Sequence, residues 1–367
     1  MKFKEVSITS DGLNVEFSNG IKDCFPFLWL RDHCKDDVNW DERSSQRKLF
    51  TALIDPNIKV SDVKIIQDSD ELEVKWPDME SAVLYSSKFL FQNSFENNHV
   101  GNSLEVWDNT KISKNTIEID YSSLNKNSGF EGLLKVIKTF GFSVINNCPK
   151  DMSSVEFIAN KIGYVRNSIF GGLWSFESNS DMADSAYTQE ELRPHTDGTY
   201  NHDAPGLQLL LCCDYDAQGG ESIMVDGLKI AEEIQKNDKA SYNFLSEVDI
   251  PGRYYGDGVE LLAKRPVFRQ NKQKEIIQVS FNNYDRADFR LPNDQISNFY
   301  SSIRTFDKIA NDKSMQWRKI LEPGQLLIFD NWRILHGRSE FSGKRRMSGC
   351  YINKEDFESA CRMYNIN

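Results

Sequence analysis

Two residue types with metal-binding chemistry are scarce in this chain of 367 residues. Cysteine occurs seven times, an odd number, and no two cysteines stand in a CxxC arrangement. A four-cysteine zinc site and a disulfide framework are therefore disfavoured, and we expect reduced thiols in a cytoplasmic protein. Any site that needs imidazole must draw on the five histidines, which are His33, His99, His195, His202 and His336.

Long apolar runs and long basic runs are also missing. No stretch approaches the roughly 18 consecutive apolar residues that cross a membrane, so we expect no membrane partner. The first residues, MKFKEVSITSDG, contain neither an apolar leader nor an arginine-rich one, so we expect no secretion or transit signal. Asp and Glu number 55 against 44 Lys and Arg, a formal net charge of −11 that argues against nucleic acid as a partner.

Several catalytic signatures are absent. The chain has no GxSxG nucleophile elbow, no Walker A loop, no GxGxxG and no HExxH. These absences remove the usual marks of serine hydrolases, P-loop NTPases, dinucleotide-binding enzymes and zinc proteases.

Alternating apolar and polar residues predict a small β-rich N-terminal domain over residues 1–95. VSITSDGLNVEF and DVKIIQDSDELEVKW each indicate a β-hairpin, and the Asn- and Ser-rich stretch 92–103 indicates a boundary. Residues 105–367 form a second domain that mixes strands and helices without a regular βαβ alternation. We therefore predict a mixed, mainly β protein whose larger domain is a double-sheet jelly roll with flanking helices.

Two helices are predicted near the start of the larger domain. EGLLKVIKTFG carries apolar residues at helical spacing and ends at Gly141, a suitable C-cap. SSVEFIANKIG follows, with a serine as the expected N-cap.

The main chemical signal is the segment RPHTDGTY. His195 and Asp197 are two residues apart, and on an extended strand both side chains point to the same face. His336, in FDNWRILHGRSEF, follows an apolar strand and can supply a third ligand. Two histidines and one carboxylate form the facial triad that binds Fe(II) and leaves coordination positions open. The HxD spacing by itself also arises by chance, so the triad needs support from other residues.

Support comes from the segment KRRMSGCY, downstream of His336. A 2-oxo acid that chelates iron needs a cation at its far carboxylate, and an arginine provides two parallel hydrogen bonds. Alternation along a strand lets only one of Arg345 and Arg346 face the pocket, and a solvated charge pair is the alternative. Ser222, in QGGESIMVDG, either adds a hydroxyl to the same carboxylate or is an ordinary turn residue.

The motifs HTDGTY, GLQLLLCC, GGESIMVDG, FNNYDRA, FDNWRILHGR and RRMSGCY together resemble the γ-butyrobetaine/trimethyllysine dioxygenase family. This family lies within the taurine-dioxygenase-like, Fe(II)- and 2-oxoglutarate-dependent oxygenases, which implies a double-stranded β-helix core. WLRDHC and VKWPD extend the resemblance into the first domain. The resemblance implies that iron is bound by His195, Asp197 and His336. It implies that 2-oxoglutarate is bound by Arg345, Ser222 and Leu210.

The resemblance also implies a substrate with a trimethylammonium group. Such a group cannot donate a hydrogen bond and is recognised by aromatic faces through cation–π attraction. The family's cage positions correspond here to Phe170, Trp174, Tyr187 and Tyr351. Phe170 stands where a tyrosine is usual and keeps an aromatic face. Ordinary core packing is the alternative for each ring.

Asp184, three residues before Tyr187, distinguishes two activities within the family. The resemblance implies an asparagine there in γ-butyrobetaine hydroxylases and an aspartate in trimethyllysine hydroxylases. N6-trimethyllysine carries an α-ammonium that γ-butyrobetaine lacks, and an aspartate pairs with it. Asn282 is the implied amide partner of the substrate carboxylate. The alternative for Asp184 is a surface turn residue.

The implied reaction converts N6-trimethyllysine, 2-oxoglutarate and O2 to 3-hydroxy-N6-trimethyllysine, succinate and CO2, as a step of carnitine biosynthesis. Three alternatives stay open: γ-butyrobetaine hydroxylation, oxidation of another quaternary ammonium compound, and a non-catalytic binding module. The binding module is disfavoured because it needs neither the triad nor Arg345. The sequence leaves open whether ascorbate is required as a reductant.

The first domain departs from the family pattern. Relatives carry a cysteine-rich zinc knuckle directly after WLRD, whereas here His33 and Cys34 are followed by Lys, Asp, Val and Asn. Two ligands do not make a structural zinc site, so we expect no zinc. We expect this domain either to be held by its β core or to serve the contacts of a homodimer, which the resemblance implies.

Overall fold

A computed structural model describes residues 1–66, 68–95, 104–177 and 188–366. The chain divides into two compact units, an N-terminal unit of residues 1–102 and a C-terminal unit of residues 103–367. The domain bounds expected from sequence, 1–95 and 105–367, stay a prediction.

The N-terminal unit is built from short antiparallel strands and two short helices. Its described elements are β1 Phe3–Ile8, β2 Gly12–Phe17, β3 Lys22–Pro26, α1 Phe27–Asp32, β4 Trp40–Asp41, β5 Gln46–Arg47, a 3₁₀ turn Thr51–Leu53, β6 Asp62–Ile66, β7 Glu71–Lys75, β8 Val83–Ser86 and α2 Ser87–Gln92. Both predicted hairpins are present, as the antiparallel pairs β1–β2 and β6–β7. Alternation along the strands buries Leu13, Val15, Leu72 and Val74 in one hydrophobic core.

His33 and Cys34 take part in hydrogen bonds inside this unit. The Nδ1 atom of His33 lies 2.7 Å from the carbonyl of Trp29, and its Nε2 atom lies 3.1 Å from Nη2 of Arg47. The sulfur of Cys34 lies 3.0 Å from the hydroxyl of Tyr85. Both side chains thus have a local structural role that requires no metal, and the absence of zinc stays a prediction.

The C-terminal unit contains the longer strands and helices. Its described strands are β9 Glu118–Asp120, β10 Phe142–Asn146, β11 Val165–Arg166, β12 Trp174–Glu177, β13 Leu192–His195, β14 Leu207–Gly219, β15 Ser222–Asp226, β16 Ile250–Gly256, β17 Val259–Arg265, β18 Phe268–Gln270, β19 Ile276–Val279, β20 Gln316–Lys319, β21 Leu326–Asp330, β22 Ile334–Arg338 and β23 Phe341–Ile352. Its described helices are α3 Asn109–Ile112, α4 Asn127–Phe140, α5 Met152–Ile162, α6 Gly227–Asn237, α7 Lys239–Glu247, α8 Asn293–Ala310 and α9 Lys354–Met363, with 3₁₀ turns at Tyr121–Asn125 and Lys313–Met315. Within the described ranges, none of these helices combines the length and the apolar character that a bilayer crossing requires.

Two sheets form the core of this unit. The larger sheet runs in the order β11–β23–β14–β21–β10–β9, with β12 also paired to β23, and the smaller sheet runs in the order β13–β22–β15–β20. Their inner faces share one hydrophobic cluster, to which the larger sheet contributes Phe142, Leu327 and Phe329 and the smaller sheet contributes Met224 and Ile334. The predicted fold is confirmed: the protein is mainly β, with a double-stranded β-helix core and flanking helices.

Helices cover the outer face of each sheet. Leu209 and Leu211 of β14 pack with Leu133 of α4 and Val155 of α5, and α6 to α8 pack behind the smaller sheet. Each such buried aliphatic side chain contributes about 1.5–3 kcal/mol to the hydrophobic term. The strand alternation leaves Leu210, between the two outward leucines, to line the inner cavity.

The two predicted helices are confirmed, with one difference at a cap. Gly141 ends α4 with φ of +83°, a left-handed conformation that glycine adopts without strain. The N-cap of α5 is Asp151 and not the expected serine, because the Asp151 side chain accepts the hydrogen bond from the backbone N–H of Ser153. The serines therefore lie inside the first turn of the helix.

The burial of the thiols predicts their reactivity. Cys24 is exposed and the other six cysteines are buried, and burial raises the pKa of Cys148 and Cys350 to about 12. We expect iodoacetamide at pH 8 to alkylate Cys24 alone in the native protein and all seven cysteines after denaturation. Mass spectrometry of the two samples measures this. Native labelling of several cysteines would contradict the packing of the sheet cores.

Candidate metal centre and active-site cavity

The pairing of two strands brings the predicted iron ligands together. His195 of β13 lies directly opposite His336 of β22 in the antiparallel register, and their ring centroids are 4.3 Å apart. Asp197 Oδ1 lies 3.5 Å from Nε2 of His195 and 3.6 Å from Nε2 of His336. The three ligand atoms lie within 4.8 Å of one another, a spacing at which one metal ion can contact all of them.

The carboxylate of the triad is not on the strand that carries His195. Strand β13 ends at His195, and Asp197 lies in the turn that follows, so the expectation of one extended HxD strand holds only as far as the histidine. Asn331 positions this turn. Its side-chain oxygen accepts from the N–H of Asp197 at 2.8 Å, and its amide donates to the carbonyls of Asp197 and Pro205 at 3.0 and 2.9 Å.

The charge states of the triad suit a divalent cation. Burial opposes ionisation of Asp197, but His336 and the contacts of His195 and Tyr351 hold the pKa of this carboxyl well below its ordinary value. Burial lowers the pKa of His336 to about 4, so its imidazole is neutral. Burial acts to lower the pKa of His195, but the contact with Asp197 outweighs burial and raises this pKa. A metal ion at the centre therefore competes with a proton for the His195 imidazole.

Hydrogen bonds orient two of the ligands. The Nδ1 atom of His195 lies 2.8 Å from the carbonyl of Arg193, and a proton shared in this contact leaves Nε2 to face the centre. The Tyr351 hydroxyl donates to Oδ2 of Asp197 at 2.8 Å, which leaves Oδ1 facing the two histidines. The Nδ1 atom of His336 is buried and has no hydrogen-bond partner among the described residues.

The triad opens into a cavity of about 400 Å³, within the usual size range of small-molecule sites. The predicted site residues that line the cavity are His195, Asp197, His336, Arg345, Ser222, Leu210, Phe170, Trp174, Asn282 and Tyr351. Asp184 and Tyr187 were also predicted to contribute, and both lie outside the described residues.

One end of the cavity is positively charged. Arg345 is buried on β23, and its Nη1 atom has no hydrogen-bond partner among the described residues. The guanidinium groups of Arg345 and Arg338 lie 5.3 and 4.7 Å from the ring centroid of Phe341. Burial, followed by the charge of Arg345, lowers the pKa of Arg338 to about 10. A bound carboxylate relieves this repulsion, so the end of the cavity is suited to an anion.

The neighbouring Arg346 has a different environment. Its guanidinium pairs with Asp214 at 2.5 Å on the outer side of β23, as expected from strand alternation. Ser222 is buried and lies opposite Arg338 in the register of β15 and β22. Leu210 lies opposite Gly349 in the register of β14 and β23.

Aromatic side chains line another part of the cavity. Trp174 and Tyr351 have ring centroids 5.7 Å apart at 54°, and Phe170 is partly exposed beside them. Trp174 packs over Gly349, where a Cβ atom would lie 2.3 Å from the indole ring. Glycine is therefore required at this position of β23 for the indole to lie here.

Sequence reasoning missed several cavity residues. Their side chains come from separate elements, and three of them carried a signal in their spacing. Arg338, Phe176 and Gln208 each lie two residues from a predicted site residue on the same strand. The missed lining residues include Arg338, Gln208, Tyr200, Tyr254, Phe176, Tyr284 and Asp285. The positioning residue Asn331 was also missed.

Two family models match the chain. The taurine catabolism dioxygenase TauD, TfdA family model matches residues 105–351. The gamma-butyrobetaine hydroxylase-like N-terminal model matches residues 5–91.

A trimethyllysine dioxygenase of Meyerozyma guilliermondii is 30% identical, with 100% of this chain and 96% of the relative covered. The chain belongs to the γ-butyrobetaine/trimethyllysine dioxygenase family. The resemblance inferred from the motifs is thus confirmed.

Other relatives carry both names of the family. A mitochondrial trimethyllysine dioxygenase of Homo sapiens is 29% identical over 97% of this chain and 86% of its own length. A gamma-butyrobetaine dioxygenase of Pseudomonas is 29% identical over 95% of this chain and 93% of its own length. A solved structure from Burkholderia xenovorans, described as a candidate alpha-ketoglutarate-dependent taurine dioxygenase, matches 65% of this chain and 90% of its own length. Its TM-score is 0.51 at 11% identity, a likeness of fold.

Asn331 forms hydrogen bonds with both the N–H and the carbonyl of Asp197, and these bonds lead to a prediction. We expect Asn331→Ala to weaken Fe(II) binding about 10- to 100-fold, because the turn loses the hydrogen bonds that hold it. Anaerobic calorimetric titration with Fe(II) measures the affinity. Asn125→Ala, at an exposed asparagine distant in sequence from the site, is the matched control. Equal affinities of the two variants would show that the turn does not depend on Asn331.

Proposed function

We propose that this protein is an Fe(II)- and 2-oxoglutarate-dependent dioxygenase that hydroxylates N6-trimethyllysine to 3-hydroxy-N6-trimethyllysine. The observation that carries the proposal is a single cavity that combines the His195, Asp197 and His336 cluster with a buried arginine and an aromatic wall. The trimethyllysine dioxygenase names of full-length relatives support the choice of substrate.

The triad residues fit iron as its ligands. Two imidazoles and one carboxylate are the donor set that Fe(II) oxygenases use, and they leave coordination positions for the co-substrates. The buried Nδ1 atom of His336, which has no partner in the described part of the chain, is consistent with an imidazole held for a metal through Nε2. We assign His195, Asp197 and His336 as the iron ligands.

Arg345 is proposed to bind the far carboxylate of 2-oxoglutarate, with Ser222 and Leu210 beside it. The guanidinium is buried and offers an unpartnered Nη1 among the described residues, so a carboxylate here gains charge-assisted hydrogen bonds. When bound, iron with 2-oxoglutarate and O2 supplies the oxidising power: one oxygen atom enters succinate, CO2 is released, and the other oxygen atom enters the substrate C–H bond.

Phe170, Trp174 and Tyr351 are proposed to hold the trimethylammonium group, together with Tyr187. A quaternary ammonium has no hydrogen to donate, so its attraction to aromatic faces, about 0.5–2 kcal/mol per contact, is its main specific interaction. The protein thereby orients the carbon to be oxidised toward the metal and excludes water from it. Asp184 is proposed to pair with the α-ammonium and Asn282 with the carboxylate.

γ-Butyrobetaine is the second candidate substrate, because a gamma-butyrobetaine dioxygenase is among the full-length relatives. Asp184 favours trimethyllysine, since an aspartate attracts the α-ammonium that γ-butyrobetaine lacks. We further propose a place in carnitine biosynthesis, a cytoplasmic location and a homodimer whose contacts use the N-terminal unit.

A single-turnover assay tests the reaction. We expect the protein with Fe(II), 2-oxoglutarate, O2 and N6-trimethyllysine to form one succinate per iron and a product heavier by one oxygen atom. The His336→Ala variant is the control without an intact triad. Parallel reactions with γ-butyrobetaine and glycine betaine identify the substrate. Iron-loaded protein that forms neither succinate nor hydroxylated product with any of them would refute the proposal.

Adjacent arginines provide a matched test of the 2-oxoglutarate site. We expect Arg345→Gln to raise the KM for 2-oxoglutarate about 10- to 100-fold, because a charge-assisted pair in a buried site is lost. Arg346→Gln removes the same charge from the outer side of the same strand, where an exposed ion pair contributes little, and should change KM by about twofold at most. Succinate formation against 2-oxoglutarate concentration measures both. Equal effects of the two variants would contradict the assignment.

A further inference from the structure

The loop that follows β19 brings an amide and a carboxylate into the cavity side by side. Asn282 and Asp285 both line it, and the Asn282 side-chain N–H donates to Oδ2 of Asp285 at 2.8 Å. Asn282 had been expected from the family resemblance, whereas Asp285 has no role in the function proposed above. Asp285 is therefore a carboxylate of the cavity to which no role has been assigned so far.

Backbone contacts hold this pair in place. The side-chain oxygen of Asn282 accepts from the N–H of Tyr284 at 2.8 Å and from the N–H of Asp285 at 3.4 Å. The carbonyl of Asp285 accepts from the N–H of Arg253 in β16 at 2.7 Å. Because its oxygen is used within the loop, Asn282 faces a ligand only through its remaining amide hydrogen. A preorganised pair of this kind loses little entropy when it binds a ligand.

We propose that Asp285 also binds the α-ammonium of the amino-acid substrate, in addition to the contact proposed above for Asp184, while the remaining amide hydrogen of Asn282 binds its α-carboxylate. This inference rests on the proposed function and names a further specificity-determining residue for that reaction. An α-amino acid carries its ammonium and its carboxylate on a single carbon atom. An acceptor and a donor that are themselves in contact, as Asp285 and Asn282 are, match that arrangement.

The position of the loop suits the chemistry of the substrate. In N6-trimethyllysine the α-nitrogen is two bonds from C3, whereas the trimethylated nitrogen is four bonds from it. The group that binds the α-ammonium must therefore lie close to the metal when C3 is the carbon oxidised. Tyr284, between Asn282 and Asp285, packs edge-on against the ring of His195 at 5.7 Å between centroids, so this loop borders the metal centre directly.

The charges of the cavity lead to the same assignment. Among the described residues that line it, the carboxylates are Asp197 and Asp285, and Asp197 is directed to the two histidines. Arg338 and Arg345, the buried arginines that line the cavity, repel an ammonium. Among the described residues, Asp285 is therefore the carboxylate placed to act as the counter-ion of a substrate ammonium.

The test uses two substrates that differ in one group. 6-(Trimethylammonio)hexanoate has the same chain, cation and carboxylate as N6-trimethyllysine but lacks the α-ammonium. We expect the wild-type enzyme to prefer N6-trimethyllysine by roughly 30-fold or more in kcat/KM, the effect of one buried charge pair. Asp285→Asn should remove most of this preference by lowering kcat/KM for N6-trimethyllysine, with a change of about threefold or less for the analogue.

Two further variants make the result decisive. Asp285→Ser repeats the test with a smaller side chain, and because the readout is a ratio of two kcat/KM values, it does not depend on the fraction of active enzyme. Asp288→Asn removes a charge from an exposed position of the same loop and should leave the ratio unchanged.

The outcomes separate this inference from the proposed function. A wild-type enzyme that hydroxylates N6-trimethyllysine without preferring it to the analogue would overturn the assignment of Asp285. Retention of the preference in both Asp285 variants would overturn it as well and would assign the ammonium to another carboxylate, such as Asp184. A wild-type enzyme that oxidises neither compound but does oxidise another quaternary ammonium would instead refute trimethyllysine as the substrate.

Discussion

The antiparallel pairing of β13 with β22 is the constraint on which the active site depends. This register sets His195 opposite His336, and the pairing of β22 with β15 sets Ser222 opposite Arg338, two residues further along β22. The side chains proposed to bind the metal and those beside the co-substrate carboxylate thus belong to one ladder of hydrogen bonds. A shift of one residue along that ladder would move every one of these side chains to the opposite face of the sheet.

The cavity is lined by charges of both signs. Two buried guanidinium groups lie beside the ring of Phe341, and the carboxylates of Asp197 and Asp285 line the same cavity. In a site of low dielectric constant such groups act over longer distances than they do in water. A dianionic co-substrate and a cationic substrate are therefore attracted to different side chains of the cavity. The formal net charge of −11 has no comparable bearing on the site.

The N-terminal unit provides hydrogen-bond partners for both His33 and Cys34. His33 and Cys34 make hydrogen bonds to Trp29, Arg47 and Tyr85, and the unit has a continuous core of its own. Burial of Cys34 raises the pKa of its thiol, so it behaves as a small apolar residue with a weak donor. Packing in this core and these local hydrogen bonds therefore stabilise the N-terminal unit.

The sequence by itself determined the chemistry-bearing residues and the class of fold. Period-two alternation predicted the strands, the HxD motif together with His336 predicted the triad, and alternation in KRRMSGCY allowed only one inward arginine. Only the tertiary structure decided which residues join them. Asn331 contacts the Asp197 turn and Asp285 lines the cavity from a different element, and no local pattern records that segments distant in sequence become neighbours. The turn that carries Asp197 likewise depends on a contact from Asn331, a residue 134 positions away. The two-residue period of a strand predicts which of its side chains share a face. Contacts between side chains of separate strands depend on the register of the sheet, which no single strand specifies.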